Sequence, residues 1–223
     1  MKINHNSYII NLKSQYLCSM SVILIESQYI GSCSYWILLL NRSEIYIDQH
    51  EHYVRRSYRN RAHILGANGL LRLTIPLEHG KSQHDAMKNV RISYNDNWQN
   101  LHWHSFTSAY RRSPFFEYYE DNFRKFYEEK FEFLTDFNFQ FMQTIAEIMK
   151  VELAVKLTEK YYAKEEFAGT DYRNYLLPSK ETNIPFKSYP QVFNDRFPFE
   201  KDLCVLDVLF NVGTGSKEYL LKV

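Results

Sequence analysis

The sequence predicts an α/β fold: a single domain that opens with a β-α-β unit, continues into a mixed sheet with a hairpin, and has a helical second half rich in aromatic residues. An apolar run at residues 21–25 and a β-rich run at residues 44–48 flank a compact apolar segment at residues 35–40, which is the pattern of strand, helix and strand. The glycines and the asparagine within residues 66–69 separate two further apolar runs, which indicates a tight hairpin. Aromatic residues make up 17% of the chain and recur at helical spacing in its second half.

The elements after the opening unit follow from local patterns. The hairpin strands are expected at residues 62–65 and 70–77, and a further strand at residues 90–94. A helix capped by Asn95 or Asp96 comes next. Its expected buried stripe is Trp98, Leu101, His102, Ser105 and Ala109.

Two aromatic helices are expected in the second half. The first begins at Ser113-Pro114, because proline is pre-set for the first turn of a helix. The apolar stripes, expected as core and not as a base-stacking surface, are Phe116, Tyr119, Phe123 and Phe126, then Leu134, Phe137, Phe141, Ile145 and Ile148. The chain continues with a short strand at residues 154–157 and a proline-bearing surface segment or lid support. It ends with a buried helix at residues 204–211, whose C-cap is Gly213.

Length and composition limit the function classes. The 223 residues fit one domain, expected at residues 20–223. Residues 1–19 are polar and patternless and are expected to be an N-terminal extension, with a strand at residues 7–12 as the alternative. Lys and Arg total 27 against 26 Asp and Glu, so binding of nucleic acid through bulk charge is disfavoured. P-loop and dinucleotide fingerprints are absent from the sequence, which disfavours the corresponding nucleotide chemistry.

The same inventory bears on the compartment. Three widely spaced cysteines favour neither a disulfide framework nor a cysteine-rich zinc site. The apolar runs are shorter than the roughly 18 residues that a membrane-spanning helix needs. Because the chain also lacks the pattern of a signal peptide, the expected location is the cytoplasm.

Residues 48–61 are the densest polar segment of the chain. They hold four arginines, two histidines, two acids and two tyrosines directly after a predicted buried strand. Ligands of open α/β sheets bind beyond the carboxyl ends of the strands, so residues 26–34 and 48–61 are expected to share one rim. Since guanidinium groups bind phosphate and carboxylate, we interpret the segment as an anion pocket; an exposed basic strand is the alternative.

The histidine pairs have different prospects as metal ligands. Asp48, His50 and His52 share a face if the segment is extended, so a metal site there is the minority interpretation. His102 and His104 lie about 200° apart on a helix and cannot bind one ion. No metal is therefore predicted and no cofactor is indicated. His102 is either a satisfied core histidine or a general acid/base.

Five stretches of the chain resemble the WbqC-like family, whose members occur among bacterial genes for O-antigen and other surface polysaccharides. The resemblance runs from about Met20 to the C-terminus. The stretches are YIGSCSYW (29–36), HEHYVRRSYRNR (50–61), WQNLHW (98–103), SAYRRSPFF (108–116) and CVLDVLFN (204–211).

The resemblance implies a pathway more firmly than a reaction. This chain has Glu26-Ser27 where many members have Gln-Pro, Gly31 where they have proline, and Gln49-His50 where they have Asp-Asp. The positions carried over as functional are Tyr29, Tyr53, Arg55, Asn60, Arg61 and His102.

The first functional hypothesis is a cytoplasmic transferase that adds an acyl or aminoacyl group to an activated amino sugar. In it Arg55 and Arg61 hold a phosphate or carboxylate of the small-molecule substrate, and Asn60 orients the ligand or the loop. Substrate contacts also come from Tyr29 and Tyr53. The proton is moved by the catalytic candidates His50 or His102, tuned by Asp48 or Glu51.

Two other hypotheses stay open. A non-catalytic nucleotide-sugar or carbohydrate-binding module would share the pocket but need no titrating group. A single-stranded RNA binder would use a set of arginines and tyrosines for phosphate contact and base stacking: Arg55, Arg56, Arg59, Arg61, Tyr53 and Tyr58.

Overall fold

A computed structural model of the chain describes residues 21–78, 85–185 and 187–222. The predicted extension at residues 1–19 and the alternative strand at residues 7–12 lie outside the described residues. The described strands are β1 (Val22–Ile25), β2 (Glu44–Ile47), β3 (Arg61–Gly66), β4 (Gly69–Thr74), β5 (Val155–Leu157) and β6 (Thr170–Asp171). The α-helices are α1 (Cys33–Leu40), α2 (Trp98–Tyr110), α3 (Phe116–Glu128), α4 (Leu134–Ile148), α5 (Val205–Val212) and α6 (Ser216–Leu221).

The opening β-α-β unit is confirmed. β1 and β2 are parallel neighbours in register, with Val22 opposite Glu44, and α1 connects them. The tight turn before α1 needs Gly31, which has a φ of 80° and whose missing Cβ would lie 2.7 Å from the Tyr35 ring. The proline common in the family has a φ near −65° and cannot adopt this conformation.

The four-stranded sheet is parallel throughout, in the order β5-β2-β1-β6. The predicted hairpin is present, but β3 and β4 form a two-stranded sheet of their own instead of joining a mixed sheet. In the strand expected at residues 90–94, the described chain forms only isolated bridges, from Ile92 to Leu77 and from Arg91 to Phe133. β4 ends at Thr74, earlier than expected, as Pro76 has no N–H to donate to a ladder.

Helix α2 is rotated relative to its predicted stripe. Leu101 is 65% exposed, whereas Phe106 and Tyr110 are buried. The buried row therefore follows the four-residue spacing from Trp98 through His102 to Phe106. The cap is Asn97, whose side chain makes no capping hydrogen bond, instead of Asn95 or Asp96.

The aromatic stripes of α3 and α4 form core, as predicted. Phe126 and Phe141 have ring centroids 4.5 Å apart, and Phe123 stacks on Phe141 at 5.3 Å. Such pairs add to the burial of apolar area, so ring packing contributes to the stability of the helical half. α5 packs against α3 through Phe210, whose ring lies 5.1 Å from Phe116. Among the described residues, no helix combines the length and apolar character that crossing a membrane requires.

Candidate functional site

Four carboxylates and two guanidinium groups meet where β1, β2 and β6 end. The N–H of Asp48 donates to the Ile25 carbonyl at 2.9 Å, and the N–H of Tyr172 donates to the Leu24 carbonyl at 2.8 Å. The segments after β2 and β6 therefore both lie beside β1, at the edge where α/β proteins bind ligands. We call this group the edge network: Glu26, Asp48, Glu51, Arg59, Asp171 and Arg173.

Arg173 joins the two aspartates of the edge network. Its guanidinium donates to Asp48 Oδ2 at 2.6 Å and to both oxygens of Asp171. The other oxygen of Asp48 accepts the backbone N–H groups of His50 at 2.9 Å and Glu51 at 3.1 Å. Because Asp48 is fully buried and occupied on both oxygens, its observed role is to hold the following loop and Arg173 in place.

Arg59 joins the two glutamates. Its Nε and Nη2 donate to the two oxygens of Glu51 at 2.8 and 2.6 Å, and Nη2 lies 3.9 Å from Glu26 Oε2. Burial raises the pKa of Glu51 to about 7, with Glu26 and Asp48 adding to the rise and the Arg59 guanidinium opposing it. A carboxyl group with such a pKa can both accept and donate a proton near neutrality.

Side-chain amides surround this ion pair and are only partly satisfied. Gln28 Nε2 donates to Glu26 Oε1 at 2.9 Å, and Asn138 Nδ2 donates to the Arg59 carbonyl at 2.8 Å. The buried polar atoms that have no hydrogen-bond partner include Gln28 Oε1, Asn138 Oδ1, Asn174 Oδ1 and Arg59 Nη1. Buried polar atoms are normally paired, so these four atoms are candidates to bind a ligand or a water molecule.

A cavity of about 380 Å³ opens beside the edge network. Val54 and Tyr161 form part of its wall. Its polar lining consists of Glu51, His52, Lys164, Asp171, Arg173 and Asn174. The volume suits a small polar molecule, and the lining offers both acids and bases.

The two predicted loops touch, because the N–H of Tyr29 donates to the Tyr58 carbonyl at 2.9 Å. The side chain of Tyr29 nevertheless points into the core, where its hydroxyl lies 3.0 Å from His102 Nδ1 and 2.8 Å from the Tyr127 hydroxyl. We call these three residues the tyrosine–histidine cluster. Burial lowers the pKa of His102 to about 4, although a backbone hydrogen bond with Thr74 acts in the opposite direction.

His102 is therefore a neutral histidine with both sides of its ring engaged, which supports the core interpretation over the acid/base one. It also borders a second space, a cleft of about 930 Å³ between β4 and α2. His50 is half-buried and is not among the residues that line the smaller cavity, whereas His52 lines it. Within the described residues, no cluster of three or more His, Cys, Asp or Glu is arranged to hold a metal ion.

The remaining predicted binding residues lie on the loop and the hairpin. The Tyr53 hydroxyl donates to Asn60 Oδ1 at 3.0 Å, and Asn60 Nδ2 donates to the Ile75 carbonyl at 2.8 Å, so this pair ties the loop to the end of the hairpin. Arg55 is exposed and Arg61 is half-buried. Desolvation of Arg61, and then repulsion from neighbouring arginines, lowers the pKa of its guanidinium.

Sequence reasoning missed the part of the site that follows β6. Asp171 ends a strand of only two residues, and Arg173 and Asn174 follow it, inside a stretch interpreted as a surface segment or lid support. The polar residues at alternate positions 171 and 173 were the one available signal, since such residues share a side of an extended chain.

Comparison with known proteins identifies the family of this chain. The WbqC-like protein family matches residues 26–176, a range that includes every residue of the edge network. An uncharacterised protein of Mycobacterium tuberculosis (strain ATCC 25618 / H37Rv), Rv1507c, is 25% identical over 224 residues, covering 89% of this chain and 96% of the relative. No solved structure matches the chain. The family match spans more than half of the chain, and the chain therefore belongs to the WbqC-like protein family.

Proposed function

We propose that this chain is a cytoplasmic enzyme of bacterial surface-polysaccharide assembly that transfers an acyl or aminoacyl group to the amino group of an activated amino sugar. The observation that carries the proposal is the placement of Glu51: a buried carboxyl group, held by Arg59, on the wall of a polar cavity at the carboxyl edge of a parallel sheet. The pathway is the one that the family resemblance implies.

The charge of the edge network favours an amine over an anion inside this cavity. The four carboxylates of the edge network outnumber its two guanidinium groups, and Glu51 and Asp171 line the cavity together with Arg173 and Lys164. Three of the unpartnered polar atoms nearby are oxygens that accept hydrogen bonds, and one is a donor. An ammonium group brings positive charge and three donors, so it complements both features.

The step that we propose balances as follows. Glu51 takes a proton from the ammonium group of the sugar, and the freed nitrogen forms a bond to the carbonyl carbon of an acyl or aminoacyl ester or thioester. The carbon–oxygen or carbon–sulfur bond of that donor breaks, and Glu51 returns the proton to the leaving oxygen or sulfur. The second proton, which the nitrogen loses as it becomes an amide, then passes to Glu51 and from there to solvent. His50, one residue from Glu51, is the second candidate for proton transfer.

The anionic part of the substrate is assigned to Arg55 and Arg61, which lie outside the edge network. No ion pair within 4 Å involves either residue in the part of the chain that the structure describes. Their guanidinium groups are available to a phosphate or carboxylate, while the Tyr53–Asn60 hydrogen bond fixes the loop between them.

Calorimetric titration with nucleotide-linked amino sugars and their hydroxyl counterparts tests this proposal. We expect the wild type to prefer the amino sugars, and Glu51→Gln to weaken that preference at least tenfold. The side-chain oxygen of the glutamine can still accept a hydrogen bond from Arg59, so the support of the loop is retained. Glu128→Gln, an exposed change on α3, is the matched control and should bind like the wild type. Failure of the wild-type protein to bind any member of the panel would overturn the proposal.

The other hypotheses give different outcomes. A non-catalytic binding module would retain its complete cellular phenotype in Glu51→Gln. Three of the residues that the RNA hypothesis needs are inaccessible: Arg59 is fully buried, and Tyr53 and Tyr58 are only 7% and 8% exposed. Base stacking needs accessible ring faces, so these burials count against it.

A further inference from the structure

Arginines accumulate on the outer face of the hairpin without acidic partners. The register of β3 and β4 places Arg61 opposite Thr74 and His63 opposite Arg72. These four side chains share one face, since alternate residues of a strand point to the same side and cross-strand partners lie on the same face. Arg61 and Arg72 are diagonal neighbours there, with Cα atoms about 7–8 Å apart.

The electrostatics of this face are uncompensated. Arg72, Arg56 and Arg55 all act on Arg61, and Arg72 and Arg61 act on His63, whose pKa is lowered chiefly by burial. Other arginines of the chain, such as Arg59, Arg91 and Arg173, pair with carboxylates. Among residues 21–78, 85–185 and 187–222, no carboxylate lies within 4 Å of the guanidinium nitrogens of four arginines: Arg55, Arg56, Arg61 and Arg72.

One donor on this face is both buried and unpartnered. Arg61 Nε is inaccessible and has no hydrogen-bond acceptor. Beside it, His63 is fixed by an edge-to-face contact with the Tyr58 ring, at a centroid distance of 5.4 Å. The face thus presents guanidinium groups and a fixed imidazole that have no acidic partner among the described residues, and a phosphate group supplies the hydrogen-bond acceptors that such donors bind.

The space next to this face is larger than a phosphate requires. Arg72 and Thr74 also line the cleft of about 930 Å³ between β4 and α2. Two of its lining residues are exposed leucines, Leu71 at 40% and Leu101 at 65%. Exposed apolar side chains beside a cationic group suit a ligand with a flat, weakly polar body joined to phosphates.

We propose that Arg61, His63 and Arg72 bind the phosphates of a nucleoside diphosphate, whose nucleoside part lies in the cleft between β4 and α2. The proposal rests on the proposed function, because it assigns the carrier of the activated sugar as a nucleoside diphosphate and gives that carrier a place separate from the edge network.

The test is calorimetric titration of the full chain with UDP, pyrophosphate and uridine. We expect UDP to bind more tightly than pyrophosphate and uridine to bind weakly. Arg61→Gln and Arg72→Gln should each weaken UDP and pyrophosphate at least tenfold, since each removes a charge-assisted hydrogen bond. Leu101→Ser should weaken UDP several-fold and leave pyrophosphate unchanged, because it alters only the apolar wall of the cleft.

The matched control is Arg112→Gln, an exposed arginine between α2 and α3 that should bind like the wild type. Thermal unfolding of each variant checks that it folds. Equal UDP affinity in Arg61→Gln, Arg72→Gln and the wild type would overturn the proposal, as would pyrophosphate binding as tightly as UDP. A uridine oligonucleotide that binds far more tightly than UDP would also overturn it, in favour of RNA.

Free glucosamine separates this proposal from the proposed function, since it carries an amine and no phosphate. If glucosamine binding falls in Glu51→Gln while the arginine variants leave UDP binding unchanged, the phosphate site is wrong and the proposed function stands. If UDP binding depends on the arginines while Glu51→Gln leaves amino-sugar binding unchanged, the proposed function is wrong and the phosphate site stands.

Discussion

The edge network and the tyrosine–histidine cluster are two buried polar groups that the fold treats in opposite ways. In the cluster, Tyr29, His102 and Tyr127 are neutral and hydrogen-bonded to one another. In the edge network every member is ionisable, and buried polar atoms on and around it have no partner. A buried polar group whose bonds are complete stabilises a core, whereas an incomplete one next to a cavity is a candidate for ligand binding.

The comparison also separates two signals that look alike in a sequence. Tyr29 and His102 lie in stretches that resemble the family, and so does Glu51. Only Glu51 lines the smaller cavity beside the sheet edge. Similarity to a family motif therefore does not by itself separate residues of a core cluster from residues on the wall of this cavity.

Removing the central charge of the edge network should have the largest effect on stability. Arg59→Met leaves Glu51 and Glu26 buried without their guanidinium, and loss of one partner of a buried ion pair costs about 3–5 kcal/mol. Urea unfolding at pH 7 measures the loss. Arg112→Met, at an exposed position, should change the free energy of unfolding by less than about 0.5 kcal/mol. A loss below about 1 kcal/mol in Arg59→Met would show that the pair is not the support described above.

Acid should weaken the tyrosine–histidine cluster. The pKa of His102 is about 4 in the folded protein, below its ordinary 6.5, so the folded state binds fewer protons than the unfolded state. The contribution of His102 to the free energy of unfolding is therefore fully present above pH 6.5. It is lost as the pH falls through 4, by about 3 kcal/mol in all. The check is urea unfolding of the wild type and His102→Asn at pH 7 and pH 4.5. Their difference in free energy of unfolding should shrink at pH 4.5; parallel profiles would contradict a neutral His102.

Glu51 should give a pH dependence of the opposite sign. Its pKa of about 7 lies above the ordinary 4.5, so the folded state holds the proton more tightly. The contribution of protonated Glu51 to the free energy of unfolding is fully present below pH 4.5 and is lost as the pH rises through 7. The loss is at most about 3 kcal/mol, because the Arg59 guanidinium stabilises the ionised form of Glu51. Unfolding of the wild type and Glu51→Gln at pH 5 and pH 8 measures this. A gap between the two proteins that does not vary with pH would place the Glu51 pKa in the ordinary range.

The sequence predicted the strands of the β-α-β unit and the hairpin, and each prediction has a physical reason. The unbroken apolar run at residues 21–25 predicted a strand buried on both faces, and the β-rich run at residues 44–48 predicted its neighbour. Glycine with asparagine predicted the hairpin turn. The rule that ligands bind at carboxyl ends of strands directed attention to the loop after β2, which supplies Asp48, Glu51 and Arg59 to the edge network.

The rest of the site depends on contacts distant in sequence. Arg173 reaches Asp48 across 125 positions, and no local pattern reports such a pair. The rotation of α2 could not be predicted for a related reason. The helical period places Trp98 and His102 in one row, but it does not show whether Leu101 or Phe106 is the next buried residue beside them. Tertiary packing decides that choice, because Phe106 has Tyr127 beside it at 5.7 Å.

The smallest expected effect comes from the hydroxyl that closes the tyrosine–histidine cluster. Tyr127→Phe removes the partner 2.8 Å from the Tyr29 hydroxyl and leaves the ring packing in place, so we expect a loss of about 1–2 kcal/mol in the free energy of unfolding. Ligand affinity should not change, because Tyr127 is not part of the edge network and lines neither the cavity beside that network nor the cleft between β4 and α2. Urea unfolding and calorimetry with the amino sugars measure the two quantities on the same preparation. A variant that keeps its stability but loses amino-sugar binding would reverse the comparison, because the cluster would then belong to the site and its completed hydrogen bonds would no longer identify it as core.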